Sequence, residues 1–212
     1  MFYGTLSKTL QNPQNPILTQ EIDTDPNAFS AIIEYIYTGK LKLTPMTVVS
    51  ILYLSKQYQL NAVENTCQQY LSKNLDLDNV CPILETAKTF DSENLLQKSY
   101  DFLFENAKEV FLRNDYFSLS KETMMVVVKS NDVSCSELEL FKAVYSWSEN
   151  KAVSTKGSLK DIFKEFEEFI RYGLIPAKDI HMTIEPLKVV TDIYLVEAYS
   201  YQCLKSEYQG NQ

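Results

Sequence analysis

Few residues in this 212-residue chain could do chemistry, and they are far apart. His181 is the only histidine, which excludes any metal site needing two imidazoles, and no cysteine stands near it to form a nucleophile pair. It reads as a partly exposed residue at a helix end. The cysteines Cys67, Cys81, Cys135 and Cys203 contain no C-x-x-C spacing and read as reduced core thiols rather than a disulfide framework. Gly4, Gly39, Gly157, Gly173 and Gly210 are too dispersed to make G-x-G-x-x-G, a P-loop or a G-x-S-x-G elbow. Phosphate cradles need several backbone amides on one glycine-rich turn, so the common nucleotide-binding enzymes are disfavoured. Glu165, Glu167 and Glu168 fall between the apolar positions of a helix and read as a solvated face, and no carboxylate pair is singled out for acid/base work. These residues predict a chain with no catalytic site, metal or cofactor.

Bulk properties narrow the partners. Hydrophobic residues are 45% and charged residues 23% of the chain, close to ordinary globular usage, so wholesale disorder is excluded. Lys plus Arg number 20 against 28 Asp plus Glu, a net charge of -8, which argues against nucleic acid as a partner. The longest fully apolar run, Met124 to Val128, has five residues, whereas a membrane span needs about 20. The opening Met1-Phe2-Tyr3-Gly4 lacks the basic and apolar regions of a secretory signal. Cytoplasm or nucleus is the expected location.

The elements that position these residues read as one helix after another. Asp25-Pro26 is a cap followed by proline at the first helical position, Phe29, Ile32, Ile33 and Ile36 make an apolar stripe, and Gly39 is the stop signal. Thr44-Pro45 repeats the start signal, and Asn61 with Glu64 resembles a capping box. Asp91 is expected to cap a helix with Leu96, Tyr100, Leu103 and Ala107 inward. Ser120 opens another. Ser134 with Glu137 and Ser136 with Glu139 are overlapping capping boxes ahead of Leu140, Phe141, Val144 and Trp147. Ser158 starts a helix burying Ile162, Phe163, Phe166 and Ile170, and Asp192 caps a last one through Cys203. Lys151 to Gly157 is the best internal loop, residues 205–212 are a polar tail, and Ile17 to Ile22 is the one plausible strand. The 14 tyrosines and 11 phenylalanines suit helix packing and partner recognition alike.

Several of these segments resemble a known arrangement. Ile22-Asp23-Thr24-Asp25-Pro26-Asn27-Ala28-Phe29 followed by Tyr35-Ile36-Tyr37-Thr38-Gly39 resembles the second half of a BTB/POZ domain. Met1-Phe2-Tyr3-Gly4 is similar to the end of that domain's earlier helix, and Leu54-Ser55-Lys56-Gln57-Tyr58-Gln59-Leu60 to its later segment. From about Leu75 the chain resembles a BACK domain, most clearly at Glu139-Leu140-Phe141-Lys142-Ala143-Val144-Tyr145-Ser146-Trp147. The resemblance implies a mainly α chain: the helical C-terminal half of a BTB/POZ domain over residues 1–74, then an all-helical BACK domain over 75–204. The match is nearest to the BTB proteins that carry a PHR module or are Kelch-like.

The resemblance also implies a role. Such proteins are adaptors of ubiquitin ligases: the BTB domain forms a homodimer and docks on a cullin-3-type scaffold, the BACK domain extends that contact, and a further domain captures substrate. The implied cullin contact carries over to Leu6, Lys8, Tyr58, Gln59 and Leu60, with the BACK helices from Val80 to Leu103 adding to it. Three departures stand out. Lys8 occupies the position of a family glutamate, the amino-terminal half of the BTB domain has no counterpart, and no substrate module follows residue 204. A fragment or an incomplete gene model is therefore expected, with apolar surface exposed in residues 1–74. Other readings are a non-ligase, self-associating BTB scaffold or transcription co-regulator, and, from another class, a small helical enzyme using scattered carboxylates. Charge reversal at a hydrogen-bonded contact costs on the order of 1–3 kcal/mol. Lys8→Glu is accordingly expected to tighten cullin binding in a calorimetric titration, and an unchanged affinity would count against placing the contact there.

Overall fold

The computed structural model describes residues 25–209, with side chains through Leu204. The expected strand at Ile17 to Ile22 lies outside these residues. Among the described residues there are eleven α-helices and no strand, so the mainly helical reading holds. None of the helices is long and apolar enough to cross a membrane. The chain divides into two compact units between Cys67 and Gln68.

In the first unit, α1 (Pro26–Thr38) begins as its sequence dictates. The Asp25 carboxylate accepts from the Asn27 N–H at 2.9 Å and Pro26 holds the first helical position. Gly39 ends the helix in the left-handed region at φ 70, its N–H donating to the Tyr35 carbonyl. Packing against α2 (Val48–Gln57) buries Ala28 and Ile32, one turn apart, while Phe29 and Ile36 from the expected stripe stay exposed. Thr44-Pro45 does not start α2. The Thr44 carbonyl and hydroxyl close a turn, with the Thr44 and Thr47 hydroxyls 2.8 Å apart, and Thr47 takes the cap position three residues later. Asn61 is already inside α3 (Asn61–Lys73), because the Leu60 carbonyl accepts from Val63 and Glu64. Glu64 instead lies 3.5 Å from Lys56.

The second unit comprises α4 (Val80–Thr89), α5 (Glu93–Glu105), α6 (Ala107–Phe111), α7 (Lys121–Lys129), α8 (Glu137–Thr155), α9 (Leu159–Glu167), the short α10 (Ala177–Asp179) and α11 (Asp192–Gln209). A single apolar core runs through it. At its centre α8 buries Leu140, Phe141, Val144 and Trp147, as expected from their spacing. The Trp147 ring meets Phe166 of α9 edge-on at 5.5 Å, and its indole N–H donates to the Leu119 carbonyl at 3.0 Å. Residues 151–155, expected as loop, are the last turn of α8 instead. The Lys151 ammonium lies 5.3 Å from the Trp147 ring centre one turn back, so the stem covers the core while the charge stays wet. Likewise 206–209 of the expected polar tail continue α11, and Asp192 is its first residue rather than its cap.

Three helices leave through a non-glycine residue in the left-handed region: Gln59 at φ 56 after α2, Asp91 at φ 48 after α4 and Lys156 at φ 54 after α8. Each turn closes with the same backward hydrogen bond, Leu60 N–H to Ser55, Ser92 N–H to Ala87 and Gly157 N–H to Ala152, at 2.7 to 3.0 Å. Asp91 therefore ends α4, and Ser92 takes the cap position of α5. The inner face of α5 is Leu95, Ser99 and Leu103; of the expected stripe Leu103 and Ala107, the latter on α6, are buried, while Leu96 and Tyr100 are only half-buried. Adjacent leucines at 95 and 96 leave the helical period ambiguous. Ser99 goes inside because its hydroxyl is satisfied by the Leu95 carbonyl at 2.8 Å.

The caps of α7, α8 and α9 form at Ser120, Ser136 and Ser158. In the α8 capping box the Glu139 carboxylate accepts from the Ser136 N–H and hydroxyl, both at 2.8 Å. The overlapping Ser134–Glu137 box does not form. Glu137 accepts from the Arg171 N–H at 2.7 Å and pairs with its guanidinium, while the Ser134 N–H donates to the Phe104 carbonyl. Glu167 departs from the solvated face expected of it. It is buried and accepts from the Thr191 N–H and hydroxyl at 3.0 and 2.8 Å, tying the end of α9 to the start of α11.

The left-handed backbone at Gln59 is strained by its Cβ, so Gln59→Gly is expected to raise the stability of the chain by roughly 0.5–1 kcal/mol in urea unfolding. A loss of stability would contradict the turn geometry. The Ser136 N–H and hydroxyl, with the Lys108 ammonium, hold the Glu139 carboxyl down at about 2, against an ordinary value of 4.5. This stabilisation is complete above pH 4.5 and lost as pH falls towards 2. Glu139→Gln should therefore flatten the fall in Tm across that window relative to wild type, and parallel Tm curves would argue against the box.

Candidate protein-interaction surfaces

The residues with chemical potential are occupied. Burial pushes the thiols of Cys67 and Cys81 up to about 12, and that of Cys135 to about 11, so all three stay protonated and unreactive at neutral pH. Cys203, expected in the core, is exposed because it lies on the outer side of α11. His181 is exposed and its Nδ1 donates to Glu185 at 2.8 Å, and the other oxygen of that carboxylate accepts from the Tyr199 hydroxyl at 2.8 Å. Among the described residues no group of three His, Cys, Asp or Glu side chains is placed to hold a metal ion.

What each unit offers instead is surface. Leu6 and Lys8, both assigned to the implied cullin contact, lie outside the described residues. Tyr58, Gln59 and Leu60 are brought together as the turn that ends α2, with Gln59 fully presented and its two neighbours half-buried. The first unit also exposes Ile36, Tyr37, Met46 and Tyr53, with Tyr37 at 83% and Met46 at 90% exposure. Tyr37 and Met46 thus present nearly their whole side chains to solvent.

In the second unit α5 and α7 enclose a groove of about 710 Å³. Leu96, Tyr100 and Phe104 supply one wall at successive helical turns, and Val126 of α7, exposed at 44%, supplies the other. The rings of Tyr100 and Phe104 lie 5.6 Å apart. Leu96 and Tyr100 are two of the residues that sequence spacing assigned to the core, so the same apolar signal serves a surface. The groove is built on fixed supports. Glu85 of α4 accepts from the Ser120 N–H at 2.8 Å and the Thr123 hydroxyl at 2.7 Å, and the Lys88 ammonium donates to the Ser120 hydroxyl and pairs with Glu122. The start of α7 is thereby fastened to α4, which packs along α5. Nothing in the local sequence marks Glu85 for this, because its partners are 35 and 38 residues away.

Comparison with known proteins places both units. Residues 1–75 match the model of the BTB/POZ domain, and residues 80–185 match that of BACK, "BTB And C-terminal Kelch". BTB/POZ domain-containing protein 9 of Drosophila melanogaster is 27% identical over 202 residues, covering 93% of this chain and 26% of that protein. BTB/POZ domain-containing protein 6 of Homo sapiens is 26% identical over 149 residues, covering 70% of this chain and 27% of that one. The Serine-enriched protein of Drosophila melanogaster is 26% identical over 183 residues, covering 84% and 14%. The chain thus spans about a quarter or less of the length of these curated relatives. BTB and BACK are interaction domains rather than catalytic ones, and the two matches carry the assignment: this chain belongs to the BTB/POZ–BACK family and is a protein–protein interaction module.

Proposed function

We propose that the chain is the scaffold-binding part of a substrate adaptor for a cullin-3-type ubiquitin ligase, working in the cytoplasm or nucleus. It positions a substrate rather than transforming it, and its contribution is effective concentration at the ligase. The observation that carries the reading is the groove on α5 and α7, because most of α5 lies in the Val80 to Leu103 stretch that the family resemblance implies for the cullin contact. The first unit contributes the turn Tyr58-Gln59-Leu60, together with Leu6 and Lys8. A groove of partly exposed leucine, tyrosine, phenylalanine and valine suits an aliphatic or aromatic anchor from a partner, since desolvating such side chains in a concave site is where interfaces draw most of their energy.

A second reading is a self-associating BTB scaffold or transcription co-regulator that binds no cullin. Lys8, in the place of a family glutamate, favours it, as do the exposed Tyr37, Met46 and Tyr53 of the first unit. Calorimetric titration of the folded chain with the amino-terminal domain of cullin-3 separates the two. Binding at a Kd on the order of micromolar supports the adaptor. Val126→Glu, on an exposed position of α7, should then weaken it at least about tenfold, which corresponds to roughly 1.4 kcal/mol. Full affinity in that variant removes the groove from the contact, and absence of binding by the folded wild-type chain puts the scaffold reading ahead.

A further inference from the structure

The last helix of the BACK unit is apolar on both of its sides. The inner side of α11 rests on the core, where Ala198 is buried and Tyr194, Leu195, Tyr199 and Gln202 are half-buried. The Tyr199 hydroxyl donates to Glu185 and the Gln202 amide to the Ile175 carbonyl. The Tyr201 ring lies against Gly173 so closely that a Cβ there would come within 3.0 Å of it. The helix is thereby seated, and its other side is left to solvent. That side carries Ile193, Val196 and Leu204, at 59%, 62% and 60% exposure, with Ser200 and Cys203 exposed among them. Charged residues are 23% of the chain, yet Glu197 is the only one between Ile193 and Leu204. A helix apolar on both sides is built to be covered on both.

The spacing of the outer residues says what covers it. Ile193, Val196, Ser200 and Cys203 follow one another at intervals of three, four and three residues, the alternation that keeps one seam turned towards a neighbouring helix. Charge then selects the neighbour. The chain carries a net charge of -8, so two copies repel each other over most of their surface. The α11 seam, bordered by a single carboxylate, is a place where they approach at little electrostatic cost, and it offers no charge for an oppositely charged partner to meet. Orientation follows in the same way. A parallel pair would set Glu197 of each copy beside Asp192 of the other, two contacts between like charges. An antiparallel pair sets Ile193 opposite Cys203, Val196 opposite Ser200 and Glu197 near Leu204 of the other copy. The small Ser200 side chain in both central layers lets the two backbones come close.

We propose that two copies of this chain pair through the outer faces of α11, running antiparallel. The pairing uses no residue of the first unit or of the α5–α7 groove, so it stands apart from both readings of the function. A seam from Ile193 to Leu204 is about 16 Å long. That is at the small end of specific interfaces, so the dimer is a weak one that forms at high concentration.

Sedimentation equilibrium of the full chain between about 10 µM and 1 mM tests the pairing. Wild type should pass from monomer to dimer in this range. Val196→Glu, which puts a carboxylate into the seam of each copy, should weaken the dimer at least about tenfold. The Tyr37→Glu, Met46→Glu pair, altered on the first unit, should dimerise as wild type does. Oxidation with diamide then reads the orientation. In the antiparallel pair the two Cys203 residues lie about 15 Å apart along the helices, too far for a disulfide, whereas Ile193→Cys places a thiol opposite Cys203 of the other copy. Wild type should therefore stay unlinked, Ile193→Cys should give a disulfide-linked dimer on a non-reducing gel, and adding Cys203→Ser to it should abolish the link. A wild-type chain that stays monomeric up to about 1 mM overturns the proposal and leaves the face to a different partner. Undiminished dimerisation of Val196→Glu and loss of the dimer in the first-unit variant also overturn it. A Cys203-dependent linked dimer of the wild type does the same, since it marks a parallel pair. Ile193, Val196, Tyr37 and Met46 are all exposed, so the variants fold.

Discussion

Burying Trp147 sets the layout of the BACK unit. An indole brings a large apolar area and one N–H that cannot be left without an acceptor inside a core. The Leu119 carbonyl supplies the acceptor, and it does so from the segment leading into α7. One residue on α8 therefore fixes where α7 begins. Its ring meanwhile seats Phe166 of α9, and Phe141, two turns before it, meets Phe163 edge-on at 5.5 Å. With α7 held at Leu119 by the indole and at Ser120 and Thr123 by Glu85, the wall of the α5–α7 groove that bears Val126 is fastened from two sides. A docking groove benefits from that rigidity, because a wall that is already ordered loses less entropy when a partner binds.

The same logic accounts for the roles of many of the chain's carboxylates. Glu85, Glu137, Glu139, Glu167 and Glu185 each accept from a backbone N–H, a hydroxyl, a guanidinium or an imidazole. Carboxylates held by such donors serve as fastenings between segments. Four of these five tie segments at least 24 residues apart, so they hold the helices in place where short connections alone would not. The buried thiols follow suit, as desolvation keeps them protonated.

What could be read from the sequence was what depends on near neighbours. The caps at Asp25, Ser120, Ser136 and Ser158 and the stop at Gly39 involve partners within four residues, so the spacing of residue types reveals them. The stripe of α8 was legible because large apolar residues repeat without competitors. Legibility ended where a distant partner decides. Glu167 looks solvated until Thr191 is placed beside it, and Glu137 looks like half of a capping box until Arg171 arrives. Residues 151–155 look like a loop unless the Trp147 ring is there for Lys151 to cover. Leu95 and Leu96 are equivalent in the sequence, and only the three-dimensional arrangement makes one core and the other groove. The groove on α5 and α7 has no mark of its own in the sequence, because its apolar residues carry the same signal as a core.

The groove and the outer face of α11 bear on how such a module works. They are built on different helices, α5 with α7 and α11 by itself, yet one continuous core joins those helices. Their separation is therefore set by packing, not by a linker. A flexible tether spreads two ligands over a volume that grows with its length, whereas a packed unit holds them at one distance and orientation. The groove sets Leu96, Tyr100, Phe104 and Val126 beside Glu93, Asn94 and Gln97, so it suits an aliphatic or aromatic anchor flanked by polar groups. Helices joined by one core present a groove whose walls keep their spacing, so a partner meets a surface already formed.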